Sequence, residues 1–394
     1  MRFGIFFLVL AYMLSQFYRA FLAVLTPVLK TDVGAAPDDL SLASGLWFLA
    51  FALMQLPVGW ALDKIGPRRT ASVLLAVGGA GGAIVFAMAQ TPLHINIAMV
   101  MIGIGCSPVL MASYFIFARS FSTAVFATLA SSILAVGILG NIASSLPLTW
   151  ASQTYGWRET LFLLAGLTLI VAIAMFVFIK DPKIPPGEHG NKGSVLDLLK
   201  TPALWLIFPM MFVNYAAVAG IRGLWIGPYL SDVYDADAGT IGTAALVMGV
   251  AMVVGNFAYG PLDRIFGTRK WIVFFGNMAG AGALFTLFIY PSHSMWISVA
   301  LMAAIGLFGS SFAMLIAHAR SFFPPHLTGR GVTLLNLFGI GGAGIMQSLS
   351  GRVHSAAVID ATNPAQPYQS LFLFFGVTIL IGASVYLFSQ DRTD

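Results

Sequence analysis

Charge is what this sequence lacks most. Only 9% of its 394 residues are charged and 58% are hydrophobic, too few charges to cover a soluble domain of this size. Cysteine is nearly absent too: the single Cys106 lies in an apolar run, which excludes a disulfide framework and a cysteine metal site. All fifteen carboxylates lie in loops or at the ends of apolar runs. None is placed to carry a proton at the middle of a membrane. Histidines add little, with His94 at the start of one run and His318 near the end of another. No Ser/His/Asp triad, paired carboxylates or phosphate-cradling loop can be assembled, so the chain is not expected to be an enzyme. Met248 and Met252, at i, i+4, have no His-x-x-x-Met partner on a neighbouring run, and Cu(I) is a minor alternative. No cofactor is expected.

What is present is a succession of apolar runs, each roughly 20 residues or more. Twelve fall near 4–27, 43–62, 70–90, 94–118, 124–150, 159–180, 203–230, 240–259, 271–290, 294–319, 331–350 and 368–389. The longest polar interruption, 181–202, carries prolines, glycines and charges of both signs, as a linker does. The expected class is therefore an all-α membrane protein: a six-helix bundle at 1–180, a cytoplasmic linker at 181–202 and a six-helix bundle at 203–394. The first run has no small-residue cleavage site after it and is expected to be a retained span. Of twenty Lys and Arg, Arg19 and Arg222 are embedded, and Lys30, Arg158 and Arg352 lie on one side. The other fifteen mark the cytoplasmic side, which places both termini and the linker there. The net charge of +5 is spread over short loops, as topology requires, and no nucleic-acid partner is expected.

The two halves repeat each other at an offset of about 200 residues. "GWALDKIGPRR" at 59–69 is answered by "GPLDRIFGTRK" at 260–270, and "ARSF" occurs at 118–121 and 319–322. Arg19 in span 1 is answered by Arg222 in span 7. Parallel six-span repeats with a site near the midplane are a transporter architecture.

The loop Gly-x-x-x-Asp-(Arg/Lys)-x-Gly-x-(Arg/Lys)-(Arg/Lys) resembles the motif between spans 2 and 3 of the major facilitator superfamily. "YGWRETLF" at 155–162 resembles that family's start of span 6, and "FPPHLTGRGVTLLNLFGIGGAGIMQ" at 323–347 its span 10–11 connection and span 11. The resemblance covers the whole chain and implies alternating access by two six-helix halves about a central site. It implies a gating network at the cytoplasmic ends: Gly59, Asp63 and Gly66 with Arg68 or Arg69, and Gly260, Asp263 and Gly267 with Arg269 or Lys270. Arg119 and Arg320, closing spans 4 and 10, are candidate partners. Proton-driven drug exporters of the family carry an arginine within span 4 and a Gly-Pro-x-x-Gly-Gly pattern in span 5. Here those segments read "NIAMVMIGIGCSPVL" and "AVGILGNIASSLP", which weakens that reading.

Tyr12, Gln16 and Arg19 share one face of span 1 at 3.6 residues per turn. Tyr215, Arg222 and Trp225, continued by Tyr229 and with Asn214 near the same face, form a stripe on span 7, and Asn336 and Gln347 share a face of span 11. Gln347 is the more structural of that pair. The family builds its cavity mainly from spans 1, 4, 7 and 10 with their neighbours, so the resemblance implies that these faces converge. Arginine binds carboxylate and phosphate bidentately and stays charged. The expected substrate-binding set is thus Tyr12, Gln16, Arg19, Asn214, Tyr215, Arg222, Trp225 and Asn336. The resemblance adds that transporters of organic phosphates and related anions carry one arginine in span 1 and one in span 7. The expected protein is a monomeric inner-membrane transporter of a small organic anion, with the lipid bilayer and a small-molecule substrate as its partners. Alternatives are a neutral or zwitterionic nutrient such as a vitamin, or a non-transporting scaffold or sensor.

Overall fold

The computed structural model of the chain describes residues 2–121, 123–182, 198–323 and 328–393. Most of the expected linker, 183–197, and residues 324–327 of the 323–347 match lie outside the described residues. Among the described residues every regular element is a helix. Ten helices among the described residues are long and apolar enough to cross a membrane, and counting each of two bent pairs as one span gives up to twelve. This is a multi-pass membrane protein.

The chain divides into two compact units, Met1–His189 and Gly190–Asp394. In the first, α1 comprises Arg2–Tyr18 and Leu22–Asp32, and α2 to α4 are Pro37–Lys64, Pro67–Ala87 and Pro92–Ser120. Its α5 comprises Thr123–Ala143 and Leu146–Tyr155, and α6 is Trp157–Phe178. In the second unit α7 to α9 are Pro202–Tyr234, Ala238–Phe266 and Lys270–Ile289. They are followed by α10 at Met295–Arg320, α11 at Thr328–Ile359 and α12 at Gln366–Tyr386.

Local sequence explains where these helices start. Pro37, Pro67, Pro92 and Pro202 occupy first turns, where the missing amide proton costs nothing. Asp39 accepts the amide of Ala36 at 3.0 Å, and Asp237 caps α8 by accepting the amide of Thr240 at 2.7 Å. Packing within a unit relies on backbone approach. A Cβ on Gly105 of α4 would overlap the backbone of Gly78 and Gly79 in α3, and one on Gly342 of α11 would overlap the Phe212 carbonyl in α7. Small residues at such contacts are the usual device where lipid removes the hydrophobic drive between helices. Leu163, Ile170 and Val177 of α6, seven apart, are all more than 60% exposed, an apolar stripe left for lipid.

Regularity differs between the units. The first is interrupted in α1 through α5, including a 52° bend in α1, a 43° bend in α5 and a π-helix at Leu75–Ala80. The second has a π-helix at Ile221–Trp225 in α7 and a 3-10 turn at Gly309–Ser311 in α10. Polar packing also differs. Tyr18 shares a 2.9 Å hydrogen bond with Thr168 in the first core. In the second, the Asn214 amide nitrogen donates to Asn277 at 2.9 Å and to Ser311 at 2.8 Å.

Candidate functional site

Arg19 stands where α1 breaks. Tyr18 ends the first segment, Arg19, Ala20 and Phe21 form the turn, and Leu22 starts the second. Its guanidinium lies 5.4 Å from the Trp47 ring and 5.5 Å from the Phe51 ring, both of α2. Those rings stack on each other at 5.3 Å. Trp47 and Phe51 are i, i+4 on one helix face, so α2 offers a two-ring platform for the cation. The stripe expected on α1 divides at this point. The Gln16 amide donates to the Tyr12 hydroxyl at 2.5 Å, and the Tyr12 ring packs on Gly137 of α5. Tyr12 and Gln16 therefore face α5, whereas Arg19 faces α2.

Arg222 stands inside the π-helix of α7 and is 3% exposed. Its guanidinium lies on Gly249 of α8, where a Cβ would sit 3.0 Å from Nη2. Tyr215, one of the expected set, is its electrostatic neighbour, and the Tyr215 ring lies 5.6 Å from Phe312 of α10. Asn214 and Trp225 occupy packed positions instead of an open face. Asn214 is 1% exposed within the Asn277–Ser311 cluster, and the buried Trp225 indole donates to Ser350 at 2.9 Å. Tyr229 is likewise buried, its hydroxyl donating to the Pro291 carbonyl at 2.5 Å. Asn336 is half-buried on α11. For Trp225 and Tyr229 the reason is rotational: a π-turn carries an extra residue, so side chains at and beyond its end leave the face that a regular helix predicts.

The residues of the α2–α3 and α8–α9 connections fall into two networks that are not copies. In the first unit Asp63 and Arg69 are exposed. Arg68 pairs with Asp181 rather than Asp63: its amide donates to Asp181 at 2.8 Å and its Nε lies 3.7 Å from the same carboxylate. Gly66 has φ +100°, and a Cβ there would lie 2.8 Å from Asp181, so both conformation and space require glycine. In the second unit Asp263 and Arg269 form the expected pair at 3.3 Å. Arg269 also donates to the Ala317 carbonyl at 3.3 Å. Asp391 accepts from the amides of Arg269 and Lys270 at 3.1 and 3.0 Å and from the Thr268 hydroxyl at 2.5 Å. Burial pushes the Asp391 carboxyl up, but the bonds from Thr268, Lys270 and Arg269 outweigh it and hold the group below the usual carboxylate range. Gly267 ends α8 at φ +63°, and Gly59 and Gly260 have open space around them. Arg119 is exposed and stacks on Phe115 at 4.6 Å, and Arg320 is exposed. His318 is fully buried. Its Nε2 donates to the Gln390 carbonyl at 2.8 Å, which leaves Nδ1 to accept from Tyr386 at 2.7 Å.

Several of these partners escaped the sequence pattern. Asp181 and Asp391 follow the sixth and twelfth spans in "IKDP" and "SQDR", and a carboxylate just past each sixth span was the available signal. A matching pair ties the opposite ends: Asp32 accepts from the Trp157 indole at 2.8 Å, and Asp232 accepts from Tyr368 at 2.6 Å. The platform residues Trp47 and Phe51 lie in an all-apolar run and gave no signal. No group of three or more His, Cys, Asp or Glu suited to a metal occurs among the described residues. Met248 and Met252 both pack on Gly306.

Known proteins fit this architecture. The Escherichia coli (strain K12) sialic acid transporter NanX is 28% identical over 229 residues, 54% of this chain and 53% of that protein. The probable sulfoacetate transporter SauU of Cupriavidus necator is 23% identical over 65% of this chain and 64% of its own length. Human monocarboxylate transporter 11 is 28% identical over 86% of this chain and 73% of its own. The chain spans only about a third to a half of the first curated relatives it matches, such as 34% of the Escherichia coli putative transporter AraJ. Among solved structures, a D-xylose–proton symporter superposes with a TM-score of 0.79 at 14% identity, over 99% of this chain and 98% of that one. At that identity the likeness shows the fold alone. These proteins are transporters, none an enzyme. The sequence model of the Major Facilitator Superfamily matches residues 8–224 and 207–394, and the chain belongs to that family.

Proposed function

We propose that the protein moves a small organic anion across the cytoplasmic membrane by alternating access, with Arg19 and Arg222 taking its acidic group. The observation that carries this reading is the placement of the two matched arginines. Each stands within a membrane span at an irregular turn, Arg19 at the break of α1 and Arg222 in the π-turn of α7. A guanidinium in a span is costly unless it serves a partner or a cavity, and irregular turns concentrate at functional sites. The substrates named for NanX, SauU and monocarboxylate transporter 11 are acids, which supports the class. Tyr12, Gln16 and Tyr215 are the neighbours proposed to complete the site.

The chain is proposed to lie in an inner membrane as a monomer, with both termini and the linker on the cytoplasmic side, as its charge bias requires. The Asp263–Arg269 and Asp181–Arg68 pairs are proposed to break as the transporter cycles, with Asp63 free to act in another state. Uptake of labelled sialic acid, sulfoacetate and lactate into proteoliposomes tests the reading. At least one acid should be taken up saturably and exchanged against unlabelled acid, and both Arg19→Ala and Arg222→Ala should lose that uptake while staying folded. Full uptake by both variants would refute the assignment.

A further inference from the structure

His354 is a titratable side chain buried inside a span. It lies in α11, 4% exposed, in a cage made by α7 and α12. Its ring centroid is 4.8 Å from Trp225, tilted 35°, and 4.9 Å from Tyr368 at 61°. The Tyr368 hydroxyl donates to Asp232 at 2.6 Å, so a carboxylate is tied to one wall of the cage. The other wall belongs to the π-turn: Trp225 is its last residue, and Arg222 lies three residues before. A charge arriving on His354 therefore acts directly on the five-residue turn that carries Arg222.

The stripe below His354 has spare hydrogen-bonding capacity. Gln347, Ser350 and His354, at i, i+3 and i+7, share one face of α11. Ser350 accepts from Trp225 at 2.9 Å and donates to the Gln347 carbonyl at 2.6 Å. The Gln347 side-chain amide is fully buried, lies against Gly220 at the head of the π-turn, and has no partner for Oε1 or Nε2. A buried amide with both ends unmet adds polar capacity to the face of α11 that meets the π-turn.

A phenyl ring could fill the cage as well as a neutral imidazole. What imidazole adds is the capacity to hold a charge against an indole face, near a carboxylate. The titratable and charged groups on the packed elements are Tyr215, Arg222, Tyr229, Asp232 and Tyr234 of α7 and Tyr368 and Tyr386 of α12. Arg352 and Asp360 belong to the outer end of α11 and its following residue, and both are exposed. We propose that His354 is a proton-binding site whose occupation acts on Arg222 through the Trp225 end of the π-turn, making transport proton-coupled. The coupling rests on the anion-transport reading, but proton binding does not.

The two are tested separately. The full chain, labelled with 15N-histidine and held in detergent, is titrated from about pH 5 to about pH 8, with the His354 signal assigned by its loss in His354→Asn. The ring should titrate in that window, and Asp232→Asn should weaken its proton binding about tenfold. A ring that keeps one state throughout, or binds protons equally in Asp232→Asn, overturns the proposal. In proteoliposomes an inward proton gradient should speed sulfoacetate uptake several-fold. His354→Gln should lose that acceleration and keep counterflow exchange, with His354→Phe, which preserves the stacking, as the second variant. Acceleration that survives in both variants also overturns it. Absence of any acid uptake by the wild type would instead remove the anion reading and leave the titration to decide on the proton site.

Discussion

In the first unit the embedded arginine stands at a broken helix with a 52° bend, half-buried on a platform of two rings. In the second it is enclosed in the π-turn of α7, 3% exposed on the backbone of Gly249. The contrast extends to the scaffolds. Breaks run through α1 to α5 of the first unit but are confined to α7 and α10 of the second. At the α2–α3 connection, Asp181 receives one backbone hydrogen bond and a 3.7 Å ion pair. Asp391 receives three hydrogen bonds beside a separate Asp263–Arg269 pair. A helix break and a sparse network lower the cost of local opening, so the first unit is the compliant one. The second unit encloses its arginine, the preorganised geometry that the proposed binding role of Arg222 would draw on.

The largest effect that separates the units is expected at the arginines. Arg222→Ala should reduce acid uptake by roughly a hundredfold or more, and Arg222→Lys nearly as much, because a shorter-reach point charge does not replace a buried planar fork. Arg19→Ala should cost less, about ten- to a hundredfold, and Arg19→Lys should recover part of it, since an ammonium also stacks on Trp47. Initial uptake rates over a range of acid concentrations decide this. Equal losses for the two lysine variants would remove the distinction between a platform and an enclosed site. Gly249→Ala should rank next. Its new Cβ would stand 3.0 Å from Nη2, so the guanidinium must shift, and KM should rise about tenfold with little change in the limiting rate. An unchanged KM would show that Gly249 does not set the position of Arg222.

How much of this was legible in the sequence depends on what each feature needs. The twelve spans required only apolar length, and the matched arginines and glycine loops required only spacing. Gly66 and Gly267, which the loop pattern singled out by spacing, both stand at positive φ. Asp63 is different: the family resemblance pairs it with Arg68 or Arg69, but the partner of Arg68 is Asp181, 113 residues away, and no local pattern encodes such a contact. Counting 3.6 residues per turn puts Trp225 on an open face, and the π-turn at Ile221–Trp225 breaks that count; Asn214, ahead of the turn, is instead claimed by Asn277 and Ser311. Trp47 and Phe51 were hidden because an aromatic in an apolar run looks the same whether it packs on lipid or on a cation.

The smallest effect tests the asymmetry of the two carboxylate caps. Asp391→Asn keeps the side-chain size but weakens acceptance from Thr268, Arg269 and Lys270. Because Asp391 is largely exposed, solvent screening limits the loss to about 1 kcal/mol or less. The sign with pH follows from its lowered carboxyl. Stabilisation is fully present above the ordinary carboxylate value of about 3.9 and is lost as pH falls through the lower folded value. The melting temperature of Asp391→Asn in detergent should therefore lie below that of the wild type at neutral pH, and the gap should close in strong acid. At neutral pH Asp181→Asn should also lower the melting temperature, by less, since its carboxylate accepts one amide hydrogen bond and makes a long ion pair. A larger gap for Asp181 would reverse the assignment of compliant and rigid units, because the sparser network would then be the one that matters more to the fold.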